Sequence, residues 1–228
     1  MAAPTLMINE IFYSIQGEST WAGLPCVFVR LTGCHLRCHY CDTEYAFHEG
    51  KRQPLDRVID QVLGYGCSLV EVTGGEPLLQ PNVHLLMTQL CDHGKTVLLE
   101  TSGASDISMC DPRVIRIMDL KTPDSGESHQ NCWPNLDHLT KHDEVKFVLC
   151  SRCDYEWARN LIQVHRLDER TKSVLLSPVA PVTPGQEIQG AVGLSLHELA
   201  EWVMADRLPV RIQTQLHKLI WDPLTRGV

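Results

Sequence analysis

Three cysteines fall within eight residues, in the run Gly33-Cys34-His35-Leu36-Arg37-Cys38-His39-Tyr40-Cys41-Asp42-Thr43. A C-x3-C-x2-C spacing lets one loop carry three thiolates to three corners of an iron–sulfur cubane, because soft sulfur donors suit iron and zinc. The informative feature is the missing fourth cysteine. A simple electron carrier takes four, whereas three leave one iron open to a ligand. Structural zinc is the competing reading, completed by His35, His39 or the Cys150-x2-Cys153 pair, although zinc ribbons favour paired C-x2-C units. A metal-free trio fits poorly, since Arg37, His39 and Asp42 make the loop polar. Cys150 and Cys153 otherwise read as core or helix-start residues.

A second group is Thr73-Gly74-Gly75-Glu76-Pro77. Two glycines permit unusual backbone angles and close approach of a ligand, and Glu76 can accept a hydrogen bond from an ammonium group. Taken alone, the same residues also describe an ordinary turn.

These groups need a scaffold. Short β-rich runs at 26–32, 69–73, 96–101, 114–120, 145–149, 173–176 and 210–213 predict strands. Helical spacing predicts helices over 55–63, 81–91, 154–167 and 195–205. Trp157, Leu161 and Val164 mark the expected buried face of the third helix. The fourth opens on a capping box, Ser195 with Glu198 three residues on. Strands spaced by helices imply a parallel sheet, and about six units fall short of a complete eight-fold barrel. The expected fold is an α/β single domain over 1–228, a partial six-strand (β/α)6 barrel. Cysteines, Gly-Gly-Glu-Pro, Thr101-Ser102-Gly103 and Lys121 all follow strands, where parallel sheets gather their binding residues.

Composition bounds the rest. The 228 residues suffice for one domain with a proper core, and 43% apolar with 21% charged residues is ordinary for a globular protein. A formal charge of −8 argues against a sequence-independent nucleic-acid binder. Residues 1–9 lack a basic start before a long apolar run, so no signal peptide is expected. No apolar run approaches the roughly 20 residues that span a bilayer. The expectation is a cytoplasmic protein, whose ten cysteines do not form a disulfide framework. Cys67, Cys91 and Cys110 sit among apolar neighbours and read as buried hydrophobes.

The cysteine spacing, with aromatic Tyr40 before the third cysteine, resembles the signature of the radical S-adenosylmethionine superfamily. Thr73 to Pro77, one βα unit on, resembles that superfamily's Gly-Gly-Glu-Pro motif. A further run, Ile8-Asn9-Glu10-Ile11-Phe12-Tyr13-Ser14-Ile15-Gln16-Gly17-Glu18, reads locally as an amphipathic strand followed by a glycine turn. With Arg30, Cys41-Asp42-Thr43 and Gln215-Leu216-His217-Lys218, it resembles the 7-carboxy-7-deazaguanine synthases over nearly the whole chain.

That resemblance implies a 4Fe–4S cluster on Cys34, Cys38 and Cys41, with S-adenosylmethionine chelating the open iron and a one-electron cleavage producing a 5′-deoxyadenosyl radical. It implies that 6-carboxy-5,6,7,8-tetrahydropterin is rearranged to 7-carboxy-7-deazaguanine with loss of ammonia. S-adenosylmethionine would meet Tyr40, Cys41 and Asp42, the Gly75-Glu76 turn, and Asp119-Leu120-Lys121, where relatives often carry Ser-Pro-Lys. Thr43 would bind Mg2+. Ile15, Gln16, Gly17, Arg30 and Thr73 would line the pterin site, and Gln215 and His217 would approach it. Ser177-Pro178 ends a strand where the family also meets the cofactor, although Val179-Ala180 departs from its pattern. A segment over 1–24 would bind substrate against the barrel. The resemblance further implies a homodimer reduced by flavodoxin or ferredoxin. Two other readings are a glycyl-radical activase, which shares the cysteine loop, and a non-enzymatic zinc or iron–sulfur module.

Overall fold

The computed structural model describes residues 3–179, 193–222 and 225–228. Strand β1 (Thr5–Ile15) runs antiparallel to β2 (Pro25–Leu31) and, on its other edge, to β3 (Lys51–Pro54). From β2 onward the neighbours are parallel: β4 (Leu69–Gly74), β5 (Thr96–Thr101), β6 (Ile115–Asp119), β7 (Glu144–Leu149), β8 (Ser173–Pro178) and the short β9 (Arg211–Ile212). The order is β3-β1-β2-β4-β5-β6-β7-β8-β9, with β3 and β9 at opposite edges. The sheet therefore stays open, as the partial barrel requires.

Alternation along each strand sorts the residues into two layers. Val27, Val29 and Leu31 of β2, Val70 and Val72 of β4, and Val145, Phe147 and Leu149 of β7 enter the main apolar core. Helix α1 (Leu55–Gly64) meets it with Leu55, Val58, Ile59 and Val62, and α2 (Val83–Asp92) with Val83, Leu86, Met87 and Leu90. On the opposite, concave face, Cys26, Phe28, Leu69, Leu98 and Ile117 form a smaller apolar floor. Further along the same strands and on the same face lie Arg30, Glu71, Thr73, Glu100 and Asp119, with Lys146 of β7 beside Asp119.

Helix α3 (Arg152–His165) corrects one expectation. Its buried face is centred on Tyr155, Ala158 and Ile162, while Trp157 and Leu161 pack at the margin and Val164 is 65% exposed. The helix starts two residues earlier than its apolar spacing suggests, because the Ser151 side chain caps it by accepting the Asp154 N–H. It stops at Arg166, and a separate turn, α4 (Leu167–Arg170), follows. Helix α5 (Leu196–Asp206) begins at the expected box, with Ser195 Oγ accepting the Glu198 N–H at 3.1 Å. A last turn, α6 (His217–Ile220), follows β9.

Strand–helix alternation fails between β5 and β7, where the first connection holds no helix and the second only 3-10 turns among the described residues. Pro123, Gly126 and Pro134 fall in the second of these, and prolines deny a helix its hydrogen bonds. Cys110 is buried as its neighbours suggest, whereas Cys67 and Cys91 are half-buried at the core margin. Among the described residues, no helix is long and apolar enough to cross a membrane.

One buried ion pair ties β6 to the turn before β7. Asp143, fully buried, accepts from Arg116 N, Nε and Nη2 at 2.9, 2.9 and 2.6 Å, and from Thr140 N and Oγ1 at 2.7 and 2.9 Å. Asp143→Ala strands a buried guanidinium and should cost roughly 3–5 kcal/mol in urea unfolding. A loss under about 1 kcal/mol, the range of an exposed pair, would contradict this.

Candidate active site

The cysteine loop leaves the carboxyl end of β2 and is pinned by its own polar residues. Arg37 donates from Nη1 to the carbonyls of Cys34 and Leu36 at 3.0 and 2.6 Å, and its guanidinium lies 4.3 Å from the Phe47 ring centre. The Arg37 N–H reaches Glu127 Oε1 at 2.6 Å, and the His39 N–H reaches the Ser125 carbonyl at 3.0 Å. Cys38 is buried and Cys34 and Cys41 half-buried, all three as free thiols. Burial pushes each thiol upward, Cys41 to about 11, so metal loading must displace protons. Among the described residues, no three Cys, His, Asp or Glu side chains converge on a single-ion position. A cubane asks for something different, one thiolate at each of three separate irons.

The glycine turn is built against this loop. Gly75 N–H bonds the Leu31 carbonyl at 3.3 Å and Glu76 N–H the Gly33 carbonyl at 2.8 Å. A Cβ on Gly75 would come 2.2 Å from the Gly33 oxygen and 2.7 Å from Cys34 Cβ. Gly74 combines φ +144 with a similar approach to Leu31. The two motifs are thus one backbone junction that only glycine permits. Glu76 is fully buried and its carboxylate is engaged by the Leu78 N–H and by Thr101 Oγ1 and Ser102 N and Oγ. It clasps the end of β4 to the end of β5.

Beyond the junction, Lys121 Nζ bonds Asp119 Oδ2 at 2.7 Å and stands 5.9 Å from the centre of the Tyr40 ring. Burial works against the Lys121 charge, but Asp119, Tyr40 and Cys38 outweigh it and hold the ammonium well above its usual range. Two buried oxygens here, Tyr40 Oη and Asp119 Oδ1, have no hydrogen-bond partner among the described residues. Such orphans suit a polar ligand. The Leu120 side chain turns away into the main core. Ser177 is buried at the end of β8, and Ala180 lies outside the described residues.

On the concave face, segment 16–24 crosses from β1 toward β7 and β9. Ser19 N–H bonds Gln213 Oε1 at 2.7 Å, Thr20 N–H bonds Glu144 Oε2 at 3.0 Å, and Trp21 packs on the apolar floor. Lys146, buried, donates to Glu18 Oε2 at 2.9 Å and to Glu100 Oε1. Thr73 Oγ1 also reaches Glu100, at 3.3 Å. Gln215 donates to Glu18 at 2.9 Å and to Asp42 at 3.2 Å. Asp42 further accepts from Lys218 Nζ at 2.6 Å and from Thr43 Oγ1 at 2.9 Å. Desolvation pulls the Asp42 carboxyl upward, yet Lys218 and these hydrogen bonds win and hold it well below the usual carboxylate range.

Of the sequence-predicted substrate residues, Thr73 and Gln215 belong to this network and Gln16, Gly17 and His217 adjoin it, whereas among the described residues Ile15 and Arg30 make no bond to it. Gln16 is buried, Gly17 lies under the His217 ring, where a Cβ would come 2.2 Å from Nδ1, and Ile15 ends β1 opposite Pro25. Burial keeps His217 below the usual imidazole range despite Glu18 and Asp42. Arg30, directly opposite Thr73 in the sheet, spends its Nε on Glu10 at 2.8 Å. Thr43 precedes a 3-10 turn without capping it by its side chain. His39, the proposed zinc alternative, turns Nδ1 to the Asp124 carbonyl at 3.1 Å. Cys153 is exposed on the first turn of α3, and Cys150 is half-buried just before its cap. Motif reading assigned no role to Glu18, Glu71, Glu100, Lys146 or Lys218. For Glu71, Glu100 and Lys146 the available signal was a charge inside an apolar strand, in LVEVT, VLLET and EVKFVL.

The Radical SAM superfamily profile matches residues 28–120, from β2 to the end of β6. A 7-carboxy-7-deazaguanine synthase of Chlorobaculum tepidum is 46% identical over 226 residues, 98% of this chain and 97% of that protein. Another, from Koribacter versatilis, is 44% identical over 227 residues, 98% of this chain and all of that protein. The crystal structure of QueE from Escherichia coli shares the fold, with TM-score 0.72 at 21% identity over 93% of this chain and 95% of that one. Similarity at this level from β1 to the C-terminal turn, through both motifs and the crossing segment, places the chain in the 7-carboxy-7-deazaguanine synthase family of the radical SAM superfamily.

Proposed function

We propose that this chain converts 6-carboxy-5,6,7,8-tetrahydropterin to 7-carboxy-7-deazaguanine with loss of ammonia, a lyase step toward queuosine and other 7-deazapurines. The observation that carries the reading is the junction of cysteine loop and glycine turn, joined through Asp42 and Gln215 to a hydrogen-bonded carboxylate–ammonium network on the sheet. Membership of the family implies a 4Fe–4S cluster and S-adenosylmethionine. Cys34, Cys38 and Cys41 would hold the cluster, and the unpartnered oxygens of Tyr40 and Asp119 fit a ligand rich in polar groups. When bound, these groups supply the one-electron radical chemistry.

The chain's own residues bind and orient. Tyr40, Cys41, Asp42 and Lys121 would contact S-adenosylmethionine from the loop side, with Gly75, Glu76, Asp119 and the Leu120 backbone opposite. Ile15, Gln16, Gly17, Thr73, Gln215 and His217 would enclose the pterin, and Arg30 would offer its fork to the carboxylate. Thr43, paired with Asp42, supplies an oxygen donor of the kind Mg2+ takes. Segment 1–24 would belong to a single domain over 1–228, as the substrate-side wall. A homodimer, a flavodoxin or ferredoxin reductant, and a cytoplasmic setting without nucleic acid complete the reading.

The test is anaerobic turnover of reconstituted protein with reductant, S-adenosylmethionine and the carboxytetrahydropterin. Appearance of 7-carboxy-7-deazaguanine is expected; cofactor cleavage without that product would point to another substrate. In the same assay Cys41→Ala should lose iron, sulfide and cofactor cleavage together, and retention of any of these overturns the ligand assignment. Thr43→Ala should leave iron content intact while raising the magnesium needed for half-activation roughly tenfold. An unaltered magnesium response rejects that role.

A further inference from the structure

Beneath the proposed substrate residues lies a buried carboxyl that the reading above does not use. Glu71 sits in mid β4, 4% exposed, two residues before Thr73 and on the same face. Its Oε2 accepts a hydrogen bond from Gln16 Nε2. The other end of that carboxamide is also committed, since Gln16 Oε1 accepts the Glu18 N–H at 3.0 Å. The side chain is held at both ends, with its nitrogen toward Glu71.

The charges around Glu71 are unequal. Glu100 faces it from β5, Glu18 from the crossing segment, Lys146 from β7 and the Cys26 thiol from β2. Lys146 Nζ is engaged by Glu18 and Glu100, and Glu71 is left with an amide. An amide does not balance a buried carboxylate, and like-charged neighbours disfavour ionisation further. Burial, Glu100 and Glu18 accordingly hold the Glu71 carboxyl well above its usual range, against Lys146 and Gln16.

We propose that Glu71 is a positioning residue, a neutral carboxylic acid that fixes the Gln16 carboxamide and keeps a further negative charge from beneath an anionic substrate. The proposal deepens the function above and rests on it for the identity of that substrate. With Glu71 neutral, Glu18 and Glu100 face Lys146 with one negative charge in excess; ionising Glu71 makes two. The proton is present at low pH and lost as pH rises through the raised pKa. Substrate binding should therefore weaken on the alkaline side.

Anaerobically reconstituted wild type, Glu71→Gln and Glu71→Leu test this, with iron content as the check on folding. The infrared difference between wild type and Glu71→Gln near neutral pH should show the carbonyl stretch of a protonated carboxylic acid. Glu71→Leu should raise KM for the carboxytetrahydropterin roughly tenfold with little change in kcat. Glu71→Gln, which keeps a neutral acceptor for Gln16, should bring KM back to within about threefold and remove the alkaline fall in kcat/KM. A missing band, a Gln variant as impaired as Leu, or a Leu variant with wild-type KM overturns the proposal. If the wild type does not turn over the pterin, the substrate assignment fails, and the infrared band alone decides for or against Glu71. If Glu71→Leu does not fold, the Gln variant and the band decide.

Discussion

A single buried ammonium, Lys146, holds the concave face together. It contacts Glu18 from the crossing segment and Glu100 from β5, and so joins β7, β5 and the chain after β1 in one place. Burial opposes its charge, yet the two carboxylates outweigh that and hold it well above the usual lysine range. Without it, the Glu18 and Glu100 carboxylates would face each other in a part of the sheet largely closed to water, where unpaired charges are most costly. From Glu18 the connection runs through Gln215 to Asp42 and Thr43, beside the third cysteine. The cysteine loop and the interior of the sheet are therefore joined by one run of hydrogen bonds.

The opposite face shows why that site can tolerate its charges. Parallel strands covered by α1, α2 and α3 give a dry core, and the stability it provides lets the concave side carry polar groups. The sheet ends in two separate edges, β3 and β9. The crossing segment lies over its polar face, with Trp21 on the apolar floor and Thr20 on the buried Glu144. At the carboxyl ends, the Glu76 clasp on Thr101 and Ser102 keeps β4 and β5 in step, so the glycine junction meets the cysteine loop at fixed geometry.

Much of this was legible in the sequence, for identifiable reasons. Cysteine spacing and the Gly-Gly turn are local signals, and both sit at strand ends as predicted. Thr96–Thr101 was readable to the residue because its apolar run is bounded on both sides by polar ones. What escaped depended on distant partners. The buried side of α3 was misplaced toward Val164 because Asp154 and Tyr155 are drawn inward by hydrogen bonds that periodicity does not encode. Glu71 and Lys146 carried no role in the motifs, and only the placement of β4, β5 and β7 in one sheet brings them together with Glu18 and Glu100 as a charge cluster. The intramolecular partners of Glu76 on β5, Thr101 and Ser102, were equally out of reach of a local motif.

The proposal that Cys34, Cys38 and Cys41 leave one iron of a cluster open to S-adenosylmethionine at the glycine junction underlies this function. It is tested most directly by electron paramagnetic resonance of the anaerobically reduced protein, recorded with and without that cofactor. A cluster signal whose g-values shift on addition is expected. A spectrum indifferent to the cofactor, from a cluster whose irons are all capped by the polypeptide, would contradict it.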